Sequence, residues 1–245
     1  MVTRYEAWLD AIPLSGIDPA IYITDIQEKE PRMNVVTVAR SAGDGLFTLR
    51  RSREALSVQI KFQVREYDTA RRKDIVQQIA AWAKNGGMLA ISDRPRQVLR
   101  VEMDAAPRVT SALKWTQELS LTLTAYAFPY WQEDTPEELQ TNGTASIMVQ
   151  GDAPRAMVDA VVNVSASTVS VSVGDQTITL ADISTGPLEI RHGDDGILRI
   201  LSNGVPVLSK RTTNSADDLL ALPGEENTFS VSGGTATFYV RGAWL

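Results

Sequence analysis

Residues 56–64, Leu-Ser-Val-Gln-Ile-Lys-Phe-Gln-Val, alternate apolar and polar side chains over nine consecutive positions. Successive side chains of an extended chain point to opposite faces, so a period of two predicts a strand with one buried face. Leu119 to Ala125 repeats the pattern, and Val35 to Val38 and Val98 to Val101 are shorter candidates. Between the two long strands, Asp68 or Thr69 can cap a helix whose apolar residues Ile75, Val76, Ile79, Trp82 and Ala83 recur at three- and four-residue steps. Asn85-Gly86-Gly87 then ends it, because Gly and Asn accept the left-handed conformation of a helix stop. These elements predict an α+β unit, a sheet with one helix laid on it.

The second half reads as short strands with regular turn signals, the pattern of a sandwich. Val169 to Val173 and Thr177 to Leu180 flank Gly174-Asp175-Gln176, and Leu188 to Ile190 and Ile197 to Ile200 flank His192 to Gly196. Ser202-Asn203-Gly204 is a further tight turn. Asn227 to Val231 and Thr235 to Arg241 are expected to close the domain around Gly233-Gly234 as a hairpin. Leu222 to Asn227 is expected to be a tight turn leading into a last strand that ends flush with the C-terminus.

A boundary is expected between these halves near Phe128 to Asn142, where an aromatic knot, Phe128-Pro129-Tyr130-Trp131, precedes the polar stretch Gln132 to Glu138, of the kind that joins domains. It gives domains 1–135 and 136–245. Charge follows the same division: the first has 18 basic and 17 acidic side chains, the second 6 and 13. An acidic second half argues against nucleic-acid binding there.

Several kinds of chemistry are excluded by inventory. There is no cysteine, hence no disulfide or thiolate chemistry, and a single histidine rules out zinc sites and triads that need a second imidazole. No apolar window approaches the ~18 to 20 residues that cross a bilayer, and the N-terminus lacks the apolar core of a signal peptide, so synthesis and folding in the cytosol are expected. His192 beside Asp194 and Asp195 reads as hairpin composition rather than a calcium or catalytic loop. Glu133-Asp134 and Glu137-Glu138 could in principle supply a glycosidase pair, yet they read as a solvated charge run. Gly43-Asp44-Gly45 lacks the Lys-Ser or Lys-Thr of a phosphate loop and reads as a hairpin tip. Arg71, Arg72 and Lys73 are less ordinary. They lie in the first helical turn, where the helix dipole favours anions, and are expected either to be screened by Asp68 and Asp74 or to meet an acidic neighbour.

The features occur in a characteristic order. Gly43-Asp44-Gly45, Arg50 and Arg51 and the alternating strand are followed by a helix containing Asp74-Ile75 and Ala81-Trp82-Ala83. Leu89 to Asp93 with Pro95 and Ala127-Phe128-Pro129-Tyr130 come next. The second half has Gly186-Pro187-Leu188-Glu189-Ile190, Ser202-Asn203-Gly204, Leu222-Pro223-Gly224-Glu225-Glu226-Asn227 and Tyr239-Val240-Arg241. This order resembles the distal tail protein (Dit) family of long-tailed, non-contractile bacteriophages over nearly the whole chain. One Glu more stands in the Pro-Gly turn than the family's Pro-Gly-Xaa-Asn.

The resemblance implies a mainly β fold: an N-terminal α+β belt domain, a β-sandwich or split barrel with one helix, followed by a C-terminal galectin-like β-sandwich. It implies a homohexameric ring at the virion tail tip, joining the major tail tube protein to the tail hub and serving as a platform for receptor-binding proteins. DNA would only pass through the channel. No catalysis, cofactor, metal or membrane insertion is implied. Heterologous contacts build a ring, and Arg50, Arg51, Arg71, Arg72 and Lys73 are the candidate subunit-interface residues, within or beside the segment Arg32 to Arg53 and the first turn of the helix. The rival readings are a carbohydrate-binding module, a glycoside hydrolase, and another tail tube or baseplate component. The first has a poor inventory, with Trp244 and Tyr239 the only Trp and Tyr beyond residue 135.

Overall fold

The computed structural model describes residues 5–29, 33–39 and 46–245, with the side chains of residues 33, 39 and 46–52 also outside the description. Arg32 and the Gly43-Asp44-Gly45 turn therefore lie outside the described residues. The fold is mainly β, and the chain divides into two compact units, Met1–Pro129 and Tyr130–Leu245.

The first unit begins with strands β1 (Ala7–Leu9), β2 (Ile12–Pro13), β3 (Ile21–Lys29), β4 (Met33–Ala39), β5 (Leu46–Arg53) and β6 (Leu56–Arg65). Helix α1 (Thr69–Ala83) follows, then β7 (Gly87–Ile91), β8 (Gln97–Met103), β9 (Arg108–Ala112) and β10 (Thr116–Ala125). Antiparallel pairing runs β2-β1-β7-β8-β10-β6-β3, and β9 pairs with the first half of β10. Strands β4 and β5 form a ribbon of their own.

The two long alternating strands are neighbours. Leu119 stands opposite Phe62, Leu121 opposite Ile60 and Leu123 opposite Val58, and all six are buried. Each such side chain removed from water contributes roughly 1.5–3 kcal/mol, which makes this pair the centre of the unit's core. The helix begins where a cap was expected, with the Asp68 carboxylate accepting from the Ala70 amide at 2.8 Å. Its buried face is narrower than the sequence suggested. Ile75, Ile79 and Ala83 are buried, whereas Trp82 is half-exposed and donates its indole N–H to the Ile12 carbonyl at 3.1 Å.

The second unit contains β11 (Trp131–Glu133), β12 (Glu137–Thr141), β13 (Thr144–Met148), β14 (Ala156–Val164), β15 (Thr168–Val173), β16 (Gln176–Ala181) and β17 (Gly186–His192). It continues with β18 (Leu198–Ser202), β19 (Val205–Pro206), β20 (Leu220–Ala221), β21 (Glu226–Ser232), β22 (Gly234–Val240) and β23 (Ala243–Trp244). One sheet runs β12-β22-β14-β17-β18-β19, with β20 also on β14, and a four-stranded sheet runs β13-β21-β15-β16. Their buried faces, among them Val158, Ala160, Ile190 and Phe238 from one sheet and Val171, Ile178 and Phe229 from the other, make a sandwich core. Phe229 and Phe238 meet edge to face, with ring centroids 5.2 Å apart.

Three sequence expectations are corrected. The turn at Gly233-Gly234 is not a hairpin: β21 belongs to one sheet and β22 to the other, so the chain crosses between layers there. Gly233 has φ +81°, and a Cβ on it would strike the Thr168 carbonyl, so both conformation and space require glycine. The polar stretch 132–138, expected to join the domains, lies instead within the second unit. β11 pairs with β23, β12 pairs with β22, and the Arg241 guanidinium donates to the carbonyls of Glu133, at 2.7 Å, and of Asp134. Finally, the strand expected to reach the terminus stops at Val240, and the chain ends instead on the short β23, with the Leu245 amide bound to Asp152 at 2.8 Å.

The turn from Leu222 to Asn227 is built by one side chain. Asn227, 6% exposed, accepts from the Leu222 amide at 2.7 Å and donates to the carbonyls of Leu222 and Glu225, both at 2.9 Å. Its buried amide thus supplies partners to backbone groups of the turn that lack them in a strand ladder.

Candidate interaction surfaces

His192 ends β17 with its side chain only 4% exposed. Its Nδ1 lies 2.9 Å from the Asp159 carboxylate on β14, which also accepts its backbone N–H at 2.9 Å, and its Nε2 lies 2.5 Å from Asp218. Burial alone would push the imidazole down. The hydrogen bonds to the two carboxylates and their charges outweigh it and raise the pKa to about 9. Burial likewise acts to raise Asp218, but the His192 hydrogen bond and charge, the Leu219 amide and the Arg155 charge leave it lowered. At neutral pH the ring is thus an imidazolium with both N–H groups engaged, and it has no lone pair to take a proton or bind a metal. The two neighbours noted in the sequence are not its partners; Asp195 instead pairs with Arg199 at 2.8 Å. Among the described residues no three His, Asp or Glu side chains group in a way that could hold a metal ion.

The five basic residues singled out in the sequence fall in two places. Arg50 and Arg51 lie on β5, opposite Val36 and Val35, and their side chains are outside the described residues. Arg71 finds acidic neighbours within the first unit rather than an ion pair with Asp68 or Asp74. It pairs with Glu66 at 3.0 Å and Asp18 at 3.4 Å, while Asp68 caps the helix. Arg72 reaches the Leu113 carbonyl and the Thr69 hydroxyl, both at 3.2 Å, and so ties α1 to the β9–β10 turn. Lys73 is exposed.

That turn carries a feature the sequence reading missed. Tyr67, Leu113 and Trp115 are 67%, 64% and 48% exposed, yet the Tyr67 and Trp115 rings meet edge to face with centroids 4.2 Å apart, and Lys114 Nζ stands 5.5 Å from the Trp115 ring. At the far end of β10, exposed Tyr126 donates its hydroxyl to Asp104 at 2.6 Å, and Thr124 donates to the other oxygen of the same carboxylate at 2.7 Å. The Asp104 hydrogen bond, followed by partial burial and the charges of Asp104 and Glu102, raises the Tyr126 pKa. A second exposed run lies on the β4–β5 ribbon, where Val35, Val36 and Val38 are all more than two-fifths exposed.

No family model matches the sequence, and no curated protein does. The fold, however, is shared along its whole length with the Dit (gp 19.1) protein of SPP1, described as a paradigm of the hub adsorption apparatus in phages infecting Gram-positive hosts. The TM-score is 0.72 at 10% identity, covering 98% of this chain and 99% of that one. Chains of the phage P2 baseplate in its activated conformation with Ca and with Sr match at TM-scores of 0.50 and identities of 9% and 10%. They cover 99% and 97% of this chain and 98% and 97% of theirs. From first strand to last, the chain has the fold of a phage distal tail protein.

Proposed function

We propose that this protein is a structural component of a long non-contractile phage tail that assembles as a ring of six copies between the tail tube and the tail-tip hub. The observation that carries this reading is the likeness to SPP1 Dit across both units, with almost nothing left over on either chain. A shared single domain would say little, since common folds host many functions. A shared succession of an α+β unit and a sandwich is more specific.

In this reading the first domain, 1–135, is the belt that makes the ring, and the second, 136–245, is a galectin-like platform for host-adhesion proteins. Geometry does the work. The engaged state of His192 supports a non-enzymatic role, because the chain's one imidazole is committed to holding strands together. The exposed valines of the β4–β5 ribbon support placing that ribbon against a neighbour, since a two-stranded ribbon is marginally stable in water without cover. Arg50 and Arg51 belong to this contact, and Lys73 with its two arginine neighbours forms the second candidate.

Mass measurement of the purified protein by light scattering, alone and mixed with its tube and hub neighbours, tests the proposal. Ring assembly predicts a six-fold mass, reduced when Arg50 and Arg51 are both changed to Glu. A six-fold mass unchanged by those substitutions and by reversal of Arg71, Arg72 and Lys73 removes the assigned contacts, and a single-chain mass throughout removes the ring.

A further inference from the structure

Strand β10 is bounded by two unlike exposed clusters, both within the first unit. At its start the Tyr67–Trp115 pair and Leu113 form an apolar knob. The knob is held from below by Arg72, bound to the Leu113 carbonyl, and carries Lys114 beside the Trp115 ring; neither Lys114 nor Lys73, the exposed residue that follows Arg72 on α1, has an ion-pair partner among the described residues. At its end lie Tyr126, 58% exposed, and the carboxylates of Asp104 and Glu102. Lys84 follows α1 on that side, where Gly86 packs on Val101 and Glu102, yet it forms no ion pair with either carboxylate among the described contacts. Ten residues of extended chain lie between Trp115 and Tyr126, a span of about 35 Å from one to the other.

Two physical facts give the pair of clusters a meaning. A preformed aromatic knob loses little side-chain entropy on docking, and exposed Trp and Tyr are the residues that most often carry binding energy at protein contacts. A subunit with complementary patches on different faces associates head to tail, and such a contact closes into a ring if the rotation between copies allows it. Here one end offers an apolar knob with cations and the other a tyrosine with carboxylates.

We infer that neighbouring copies of this chain join through these two clusters, the Tyr67–Leu113–Trp115 knob of one copy docking beside Tyr126, Asp104 and Glu102 of the next. The contact rests on the ring reading above and names an interface within it. Lys73 and Lys114 face Glu102 and Asp104 across it, which sets the polarity of assembly, and the aromatic side chains exclude water from the charges. Two knobs cannot dock on each other without bringing four lysines together, so back-to-back pairs are disfavoured.

A charge-swap experiment with the full chain tests it, with self-association followed by sedimentation. Trp115→Ala is expected to weaken self-association at least tenfold. So is K73E/K114E, which makes both ends acidic, and E102K/D104N, which leaves a basic knob and a basic end. A one-to-one mixture of the last two is expected to assemble like the wild type. In alternating order every reversed knob then meets a reversed end, and every native knob a native end. Thermal unfolding confirms that each variant folds, and E102K alone serves if loss of the Asp104 carboxylate loosens Thr124 and Tyr126. Wild-type association by Trp115→Ala and by both charge variants would overturn this contact while leaving the ring reading in place. Variants that dissociate without recovering on mixing would also overturn it. A wild-type chain that stays single at every concentration overturns both.

Discussion

Replacing His192 by Gln isolates the one buried ionic cluster of the second unit. In the folded protein the imidazole titrates at about 9, whereas in an unfolded chain it titrates near 6.5. A raised folded pKa means that the native state holds the proton more tightly than the unfolded state. The stabilisation is therefore complete below about pH 6.5 and is lost as pH rises through about 9. A shift of this size corresponds to about 3 kcal/mol. For a unit of this length that amounts to a fall in Tm of roughly 10 °C between pH 6 and pH 10. Glutamine keeps a donor amide but carries no charge and cannot serve both Asp159 and Asp218 in the same geometry, so H192Q is expected to be destabilised at pH 6 and to converge on the wild type by pH 10. At the acid end the lowered Asp218 pKa adds an opposite dependence, with stability lost as pH falls through its folded value. Calorimetry of both proteins in parallel cancels the general titration of lysines and tyrosines. A wild-type Tm that is flat from pH 6 to 10, or an H192Q curve that tracks the wild type throughout, would refute the argument.

Three further substitutions probe separate parts of the construction. Asn227→Ala removes the three hydrogen bonds that its buried side chain makes to the 222–227 turn and is expected to cost about 2–4 kcal/mol by chemical denaturation, more than Asn227→Asp, which can still accept from the Leu222 amide. Gly233→Ala forces a Cβ into the Thr168 carbonyl at positive φ and should lower the midpoint of the second unit sharply, with a smaller fall from Gly174→Ala, which shares the positive φ (+58°) but has open space beside the Cα. Asp68→Ala removes the cap of α1 and is expected to cost about 1 kcal/mol, visible as faster amide exchange in the first helical turn.

The sequence carried the fold best where one face of an element is buried and the other is polar. β6 and β10 alternate cleanly because Gln59, Lys61 and Gln63 face outward between Val58, Ile60, Phe62 and Val64, and α1 was framed by an aspartate cap and a glycine stop. The strand β14 has the same buried alternation through Ala156, Val158, Ala160, Val162 and Val164, but Met157 and Val161 on the other face hide it, and alanine adds little contrast. The β9–β10 hairpin escaped notice because its turn, Leu113-Lys114-Trp115, contains neither glycine nor proline. With it escaped the Tyr67–Trp115 cluster, which only tertiary packing brings together. The partners of His192 lie 33 and 26 residues away, and no local spacing announces them. The family resemblance survived because it rested on the order of turns and strands, which the fold preserves at 10% identity to SPP1 Dit.

Negative-stain imaging of the purified protein, alone and together with its tube and hub neighbours, tests the central claim most directly. The account predicts ring-shaped particles with an open centre, one sandwich projecting outward per copy. A uniform field of single, unringed particles under every one of those conditions would contradict it.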